Sequence, residues 1–417
     1  MHNQILSHLK QVKEVARNLN FIEENKRSAI LKDLAINLRK HCSELIIENQ
    51  KDLDLMDEGD PRYDRLLLTK ERIHTIADDV ECVADLPDPL GNILSEKKQT
   101  NGLIIQKISV PIGVVSVIYE ARPNVTVDVF SLCFKTGNAC VLKGGKEANQ
   151  SNQYLVSVIQ NVLKAHNLNP DIIYLLPSER EFTYTLLQAT DLVDLCIPRG
   201  SQALINFVRK NAQIPVIETG AGIVHTYFDI SGNLEKGRLI VNNAKTRRVS
   251  VCNALDTLII HQARLSDLPE LVKLLSEKNV QIYADELSFN TLKNNYPDSL
   301  LFQAKLENYG QEYLDYKLSI KTVSSLEEAI KHIQSFTSHH SEAIIAEDQT
   351  SIERFLKEVD AAVVYVNAST AFTDGGQFGL GAEIGISTQK IHARGPMGLD
   401  ALTSYKWVVR GDGQIRI

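Results

Sequence analysis

Several things are missing from this sequence, and each absence narrows what the chain can be. The amino-terminal stretch MHNQILSHLKQVKEVARNLN mixes charges with apolar residues at helical spacing. It therefore has neither the uninterrupted apolar core of a signal peptide nor the length of a membrane span. Cysteine is scarce and scattered, at positions 42, 82, 133, 140, 196 and 252, with no CxxC pair and no short spacing. That excludes a zinc ribbon or a disulfide framework and fits reduced thiols in the cytosol. Excess positive charge is absent too. A net charge of −7 argues against a nucleic-acid partner and leaves room for small anionic ligands in a local basic pocket. No internal repeat and no low-complexity segment occurs. With 23% charged and 43% hydrophobic residues over 417 positions, the chain has the composition of a globular protein of two or three domains. A soluble, cytoplasmic protein with no membrane partner is expected.

What is present changes texture along the chain. Ile5, Leu6, Leu9, Val12, Val15, Ala16 and Leu19 recur at the helical period, Ile30, Leu31, Leu34 and Leu38 repeat it, and the pattern stops at Pro87 and Pro89. The stretch NGLIIQKISVP, from Asn101, alternates in part and reads as an extended ribbon. Short apolar runs then alternate with helical stretches: VVSVIYE (114–120), ACVLKGG (139–145), IIYLLP (172–177), VDLCIP (193–198) and IPVIETG (214–220). Runs of this kind are buried on both faces, and the intervening helices suit parallel crossovers, so a doubly wound α/β sheet is expected. A second α/β unit follows, with strands at 257–261, 317–323, 341–347 and 361–367, and the tail LTSYKWVVRGDGQIRI returns to strand composition.

Candidate chemistry gathers where strands end, the usual ligand edge of such sheets. Cys252 follows a segment carrying Lys245, Arg247 and Arg248, and positive surroundings favour the nucleophilic thiolate. The other reading is a small buried residue entering the next strand. Asn124, after YEARP, offers an amide to an oxyanion or else caps a helix. Lys143, followed by Gly144 and Gly145, faces an anion or is a solvated lysine. Gly200 and Ser201 mark a strand-to-helix turn whose free N–H groups could receive a phosphate. Glu218, before TGAG, is a base or a backbone anchor. The glycine-rich run 367–387 is a substrate loop or a flexible turn. His339 and His340 are adjacent, so they cannot both point at one metal from a helix or a strand, and a metal site is not expected.

Taken in order, Asn124, Lys143, Gly200-Ser201, Glu218, Cys252 and Glu312 resemble the aldehyde dehydrogenase superfamily. More narrowly, VPIGVVSVIYEARPNVTVD, NAKTRRVSVCNA, YVNASTAFTDGGQFGLGAEIGIS and HARGPMGLDALTSYKW resemble its gamma-glutamyl phosphate reductase family, also called glutamate-5-semialdehyde dehydrogenases, of proline biosynthesis. Two stretches depart from the superfamily's usual texture: VSVCN, where a proline and a glycine commonly precede the cysteine, and TGAGIVH, where polar residues are more common.

The resemblance implies an aldehyde dehydrogenase-like α/β fold. Residues 1–98 and 113–222 would form a Rossmann-like cofactor domain, 223–390 the catalytic domain, and 99–112 with 400–417 a small β ribbon for oligomerisation. It implies NADPH-dependent reduction of L-glutamyl 5-phosphate to glutamate 5-semialdehyde, with release of phosphate, through a thioester on Cys252. Asn124 and the Cys252 N–H would form the oxyanion hole. Lys143, Lys146, Gly200, Ser201, Glu218 and Glu312 would bind NADPH or NADP⁺, with Lys146 reading the 2′-phosphate and Glu312 the nicotinamide ribose. Glu218 matches the base of oxidising relatives, a role that phosphate release does not require. Arg122, Arg247, Arg248 and Arg394 are candidates for the substrate's phosphate or carboxylate, with Ser369 and Thr370 beside them. A homodimer or homotetramer is expected, as is an upstream glutamate 5-kinase as a functional partner. With no kinase segment ahead of it, the chain is expected to be the stand-alone form.

Overall fold

The computed structural model of the protein describes residues 2–60 and 62–416. Two compact units divide the chain: Met1–Thr219 with Gly379–Gly385 and Pro396–Ile417, and Gly220–Phe378 with Ile386–Gly395. Among the described residues no helix is long and apolar enough to cross a membrane.

In the first unit the periodic amino-terminal sequence folds as helices His2–Leu19, Glu24–Lys40, Cys42–Leu53 and Lys70–Asp85. Their apolar stripes are buried, Leu9, Ile30, Leu31, Leu34 and Leu38 completely. Polar contacts fix them to the sheet layer. Asp52 accepts from the N–H groups of Gln150 and Ser151, satisfying orphan donors at the start of the helix Asn149–Ala165. The sheet runs in the spatial order Ile173–Leu175, Ala139–Lys143, Val114–Tyr119, Leu195–Arg199, all parallel. From the strand Val114–Tyr119 the chain first builds outward on one side, then crosses to the other with Leu195–Arg199. The crossover puts a topological switch point beyond the ends of those two neighbours.

The expected strand at 214–220 is reduced to isolated bridge residues, Val216 and Thr219; Val216 pairs in parallel with Cys196, held by the Cys196 N–H on the Pro215 carbonyl and the Ile217 N–H on the Cys196 carbonyl. The reason is chemical: Pro198 and Pro215 have no N–H with which to extend the ladder.

The ribbon has three antiparallel strands, Ile93–Lys98, Ile104–Pro111 and Thr403–Arg410, with the middle strand in register from Thr403 opposite Pro111 to Arg410 opposite Ile104. Residues 93–98, which the sequence reading placed with the cofactor-binding part, form its first edge strand.

The second unit is built on a seven-stranded parallel sheet in the order 301–303, 281–284, 317–323, 257–261, 225–228, 341–345, 363–366. Alternate residues bury on opposite faces, as the two-residue period of a strand requires. Phe228, Leu258, Ile260, Ile282, Leu318 and Ile320 pack in one core, and Tyr227, Ile259 and Ile344 pack in the other with Ile330, Ile333 and Phe355 from helices Leu326–Phe336 and Gln349–Glu358.

Candidate active site

Cys252 lies in the turn between the helix Leu234–Thr246 and the strand Thr257–His261, not at the entry of the strand itself. It is half-buried, and its Sγ is 3.2 Å from Nε2 of His340. His340 immediately precedes the strand Ser341–Ile345 and is fully buried. On its other side Nδ1 is 2.9 Å from Ser341 Oγ, which is 2.7 Å from Thr373 Oγ1, itself 2.8 Å from the Tyr365 hydroxyl. Burial pushes the imidazole down to about 4, so the ring is neutral at pH 7.

Sequence alone argues against the His339-His340 pair only as metal ligands. What separates the two rings is the backbone: His339 has φ of 62° and turns its own ring outward, Nδ1 lying 2.6 Å from the Asp360 carbonyl. No sequence spacing links His340 to a thiol 88 residues away.

The main chain around Cys252 is clamped on both sides. Thr370 Oγ1 donates to the Asn253 carbonyl at 2.8 Å, and the Asn253 amide donates to the carbonyls of Ala371 and Thr373. Ser369 Oγ accepts from the Ala371 N–H. Ser369, Thr370, Ala371 and Thr373 are all buried, so the first part of the glycine-rich run is a packed 3₁₀ turn and not a flexible connector. Across from it lies Gly222, where a Cβ would overlap the Cys252 carbonyl oxygen. The Gly222 N–H donates to Glu312 Oε1 at 2.9 Å, and the next three N–H groups also go to side chains: Ile223 to Ser338, Val224 to Asp256 and His225 to Glu342. The apolar texture of TGAGIVH thus suits a segment whose polar partners come from elsewhere in the fold.

The basic residues before the cysteine diverge. Arg247 and Arg248 are exposed. Lys245 is fully buried and pushed down to about 8 by desolvation, against the pull of Asp256, whose own carboxyl burial pushes up to about 7. Arg394 pairs at 2.7 Å with Asp360, which also holds Lys390.

In the first unit, Asn124 opens the helix Asn124–Lys135 but makes no capping bond; the N-cap is Pro123. One hydrogen of its amide goes to Asp128 at 2.9 Å, which fixes the plane of the amide. Lys143 is neither solvated nor unpartnered. Its ammonium is buried and donates to the carbonyls of Gly144 and Ser178, and burial lowers it from its ordinary value. Lys146 is exposed on the turn Lys146–Ala148. Glu218 lies 3.8 Å from Arg209.

Gly200 and Ser201 fall at the switch point, but the donors of Ser201 are already engaged. The Ser201 N–H and Oγ both donate to the Glu120 carboxylate, at 2.9 and 2.8 Å. A Cβ on Gly200 would meet that same carboxylate. Glu120, the residue just past the strand Val114–Tyr119, escaped the sequence reading although a charge ending an apolar run was its signal.

No family model matches the chain. Individual proteins do. A gamma-glutamyl phosphate reductase of Legionella pneumophila (strain Corby) is 67% identical over 416 residues, spanning 100% of both chains. The chain belongs to the gamma-glutamyl phosphate reductase family. The crystal structure of the Thermotoga maritima gamma-glutamyl phosphate reductase superposes with a TM-score of 0.94 at 37% identity, covering 99% of each chain. The wider fold is that of aldehyde dehydrogenases. A glyceraldehyde-3-phosphate dehydrogenase from Methanocaldococcus jannaschii, solved in complex with NADP, shares it with a TM-score of 0.70 at 15% identity over 99% of this chain and 95% of its own. Membership of the gamma-glutamyl phosphate reductase family gives the resemblance seen in NAKTRRVSVCNA its full-length support.

Proposed function

We propose that this protein reduces L-glutamyl 5-phosphate to L-glutamate 5-semialdehyde, releasing phosphate, in proline biosynthesis, with Cys252 as the covalent nucleophile. The observation that carries this reading is a half-buried thiol held at a clamped turn, 3.2 Å from a buried imidazole, in a chain with full-length reductase relatives. A carboxylate is too poor an electrophile for hydride. An acyl phosphate exchanged for a thioester is not, and covalent catalysis splits one hard step into two accessible ones.

The chain's own residues divide the work. Cys252 Sγ attacks the acyl carbon and phosphate departs with the bonding pair. Asn124 and the Cys252 N–H are assigned to the oxyanion, the Asn124 amide being oriented by Asp128. Arg122, Arg247, Arg248 and Arg394 remain the candidates for the substrate's two anionic ends, with Arg394 having to leave Asp360 to serve. Thr370 and Ser369 act by holding the turn. Because phosphate leaves without activated water, Glu218 needs no basic role and is assigned to the cofactor side.

The cofactor assigned is NADPH, held by Lys143, Lys146, Gly200, Ser201, Glu218 and Glu312. The switch point of the first sheet and a buried ammonium at a strand end suit a dinucleotide phosphate. When bound, NADPH supplies the hydride that reduces the thioester. Glu120 would have to release the Ser201 N–H if a phosphate is to take its place. We place the enzyme in the cytoplasm, next in sequence to a glutamate 5-kinase. We also assign it a homodimeric or homotetrameric state through the ribbon, whose edge strands expose Ile93, Leu94, Tyr405, Trp407 and Val409.

The test runs the reaction backwards, with glutamate 5-semialdehyde, phosphate and NADP⁺, following NADPH formation. Turnover should depend strictly on phosphate, and Cys252→Ala should abolish it while NADPH still binds. Aldehyde oxidation without phosphate would refute the reading in favour of an oxidising dehydrogenase.

A further inference from the structure

Cys252 must lose a proton to attack, and the Nε2 of His340 lies beside its sulfur. We infer that His340 is the proton acceptor for Cys252, and that Ser341, Thr373 and Tyr365 form a hydroxyl chain that positions its ring. This rests on the reading of Cys252 as the nucleophile.

Three observations carry it. Nε2 faces Sγ at 3.2 Å, within the range of a hydrogen bond to sulfur. The opposite ring nitrogen is tied to Ser341 Oγ, so a tautomer with Nδ1–H donating to Ser341 leaves the Nε2 lone pair on the thiol. The positive φ at His339 directs the two neighbouring imidazoles apart, the first to the Asp360 carbonyl and the second into the interior. The groups hydrogen-bonded to His340, directly or through Ser341, include Cys252, Ser341, Thr373 and Tyr365. Burial away from water lowers the ring's proton affinity.

The resting imidazole is therefore neutral. As Sγ bonds to the acyl carbon, the thiol proton moves to Nε2, and the imidazolium is favoured only while negative charge develops beside it. When the acyl C–O bond breaks, phosphate leaves with that electron pair and takes the imidazolium proton. Once hydride has been added to the thioester carbon, the tetrahedral oxyanion collapses to the aldehyde as the C–S bond breaks with its pair on sulfur, and Nε2 returns to that sulfur a proton drawn from solvent. Atoms and electrons balance with no added oxidant or reductant beyond the reaction's own.

The experiment measures alkylation of Cys252 by iodoacetamide, read at its own peptide by mass spectrometry. It uses a Cys82→Ser background, because Cys82 is the other thiol that is not buried. His340→Asn should slow Cys252 alkylation at pH 7 by about tenfold or more and move its pH profile to higher pH. The same variant should lower kcat/KM by about 10²- to 10⁴-fold, the span of a lost general base, with KM for NADPH within threefold of wild type. Ser341→Ala and Thr373→Val, which keep the imidazole, should slow alkylation severalfold. Wild-type alkylation in folded His340→Asn overturns the inference. If that variant does not fold, wild-type alkylation in both Ser341→Ala and Thr373→Val overturns it. Full turnover in Cys252→Ala would instead overturn the nucleophile itself; an inactive Cys252→Ala beside a wild-type His340→Asn would overturn only the role of His340.

Discussion

Replacing Gly222 with alanine adds a single methyl group at the point where two backbones come closest. Gly222 is not in the left-handed region, so alanine is acceptable there conformationally, and the obstacle is purely steric. The new Cβ would overlap the carbonyl oxygen of Cys252 and crowd its carbonyl carbon and Cα, all main-chain atoms that cannot rotate away. Restoring van der Waals contact requires the segments to part by about 1 to 2 Å. Such overpacking typically costs about 1–3 kcal/mol. A displacement of about 1 Å at the nucleophile costs roughly 100-fold in rate. The expected result is a stability loss of that size by urea denaturation, together with at least a 100-fold fall in phosphate-dependent kcat/KM. Gly59→Ala is the comparator, since a Cβ there meets nothing closer than 3.4 Å, and it should change neither quantity. Activity in Gly222→Ala within threefold of wild type, whatever the stability, would refute the claim that this glycine sets the position of Cys252.

Lys146→Glu tests the cofactor assignment. If Lys146 makes one charge-assisted contact to a 2′-phosphate, worth about 1.5–3 kcal/mol, the ratio of kcat/KM for NADPH over NADH should fall about 10- to 150-fold. A ratio fixed within twofold moves the role to Lys143 or the Gly144–Gly145 backbone. Acid stability tests the buried rings. Burial lowers His340 to about 4 and His332 to about 3. In both cases the unfolded chain binds a proton that the folded chain refuses, so stability is full above about 6.5 and falls as pH drops towards 4, by up to about 1.4 kcal/mol per pH unit for each ring. His332 packs against Tyr309 and Phe336, and its Nε2 has no hydrogen-bond partner among the described residues. His332→Phe should therefore be tolerated at pH 7 and flatten the decline in urea midpoint between pH 6.5 and 4. Superimposable pH profiles for the two proteins would show that His332 does not titrate on unfolding.

The parts of this structure that could be read in advance are those whose physics is local. Val114–Tyr119 and Ala139–Lys143 announce themselves because a strand buried on both faces must be apolar at every position. The strand His225–Phe228 is just as buried, yet HTYF was not recognised as a strand. Its first residue is a histidine whose Nδ1 is matched by Glu342, 117 positions away. A polar residue is tolerated in a core when its partner arrives from another strand, and one-dimensional pattern cannot see that partner. Gln281–Ala284 and Leu301–Gln303 were missed for a different reason, because three or four residues carry too few periods to be read.

The same division governs the site. Cys252, Asn124 and Lys143 could be proposed from the sequence because each lies beside a readable element. Gly222, Glu120 and His340 were not, because what makes each of them matter is a neighbour across the fold: a carbonyl for Gly222, a serine N–H for Glu120, a thiol for His340. For His340 the misleading signal was its neighbour. Two adjacent histidines suggest a shared ligand and are dismissed when geometry forbids one, whereas a left-handed residue between strand and loop lets them serve different surroundings. Adjacent functional groups should thus be judged one at a time, each against the partner that the backbone turns it towards.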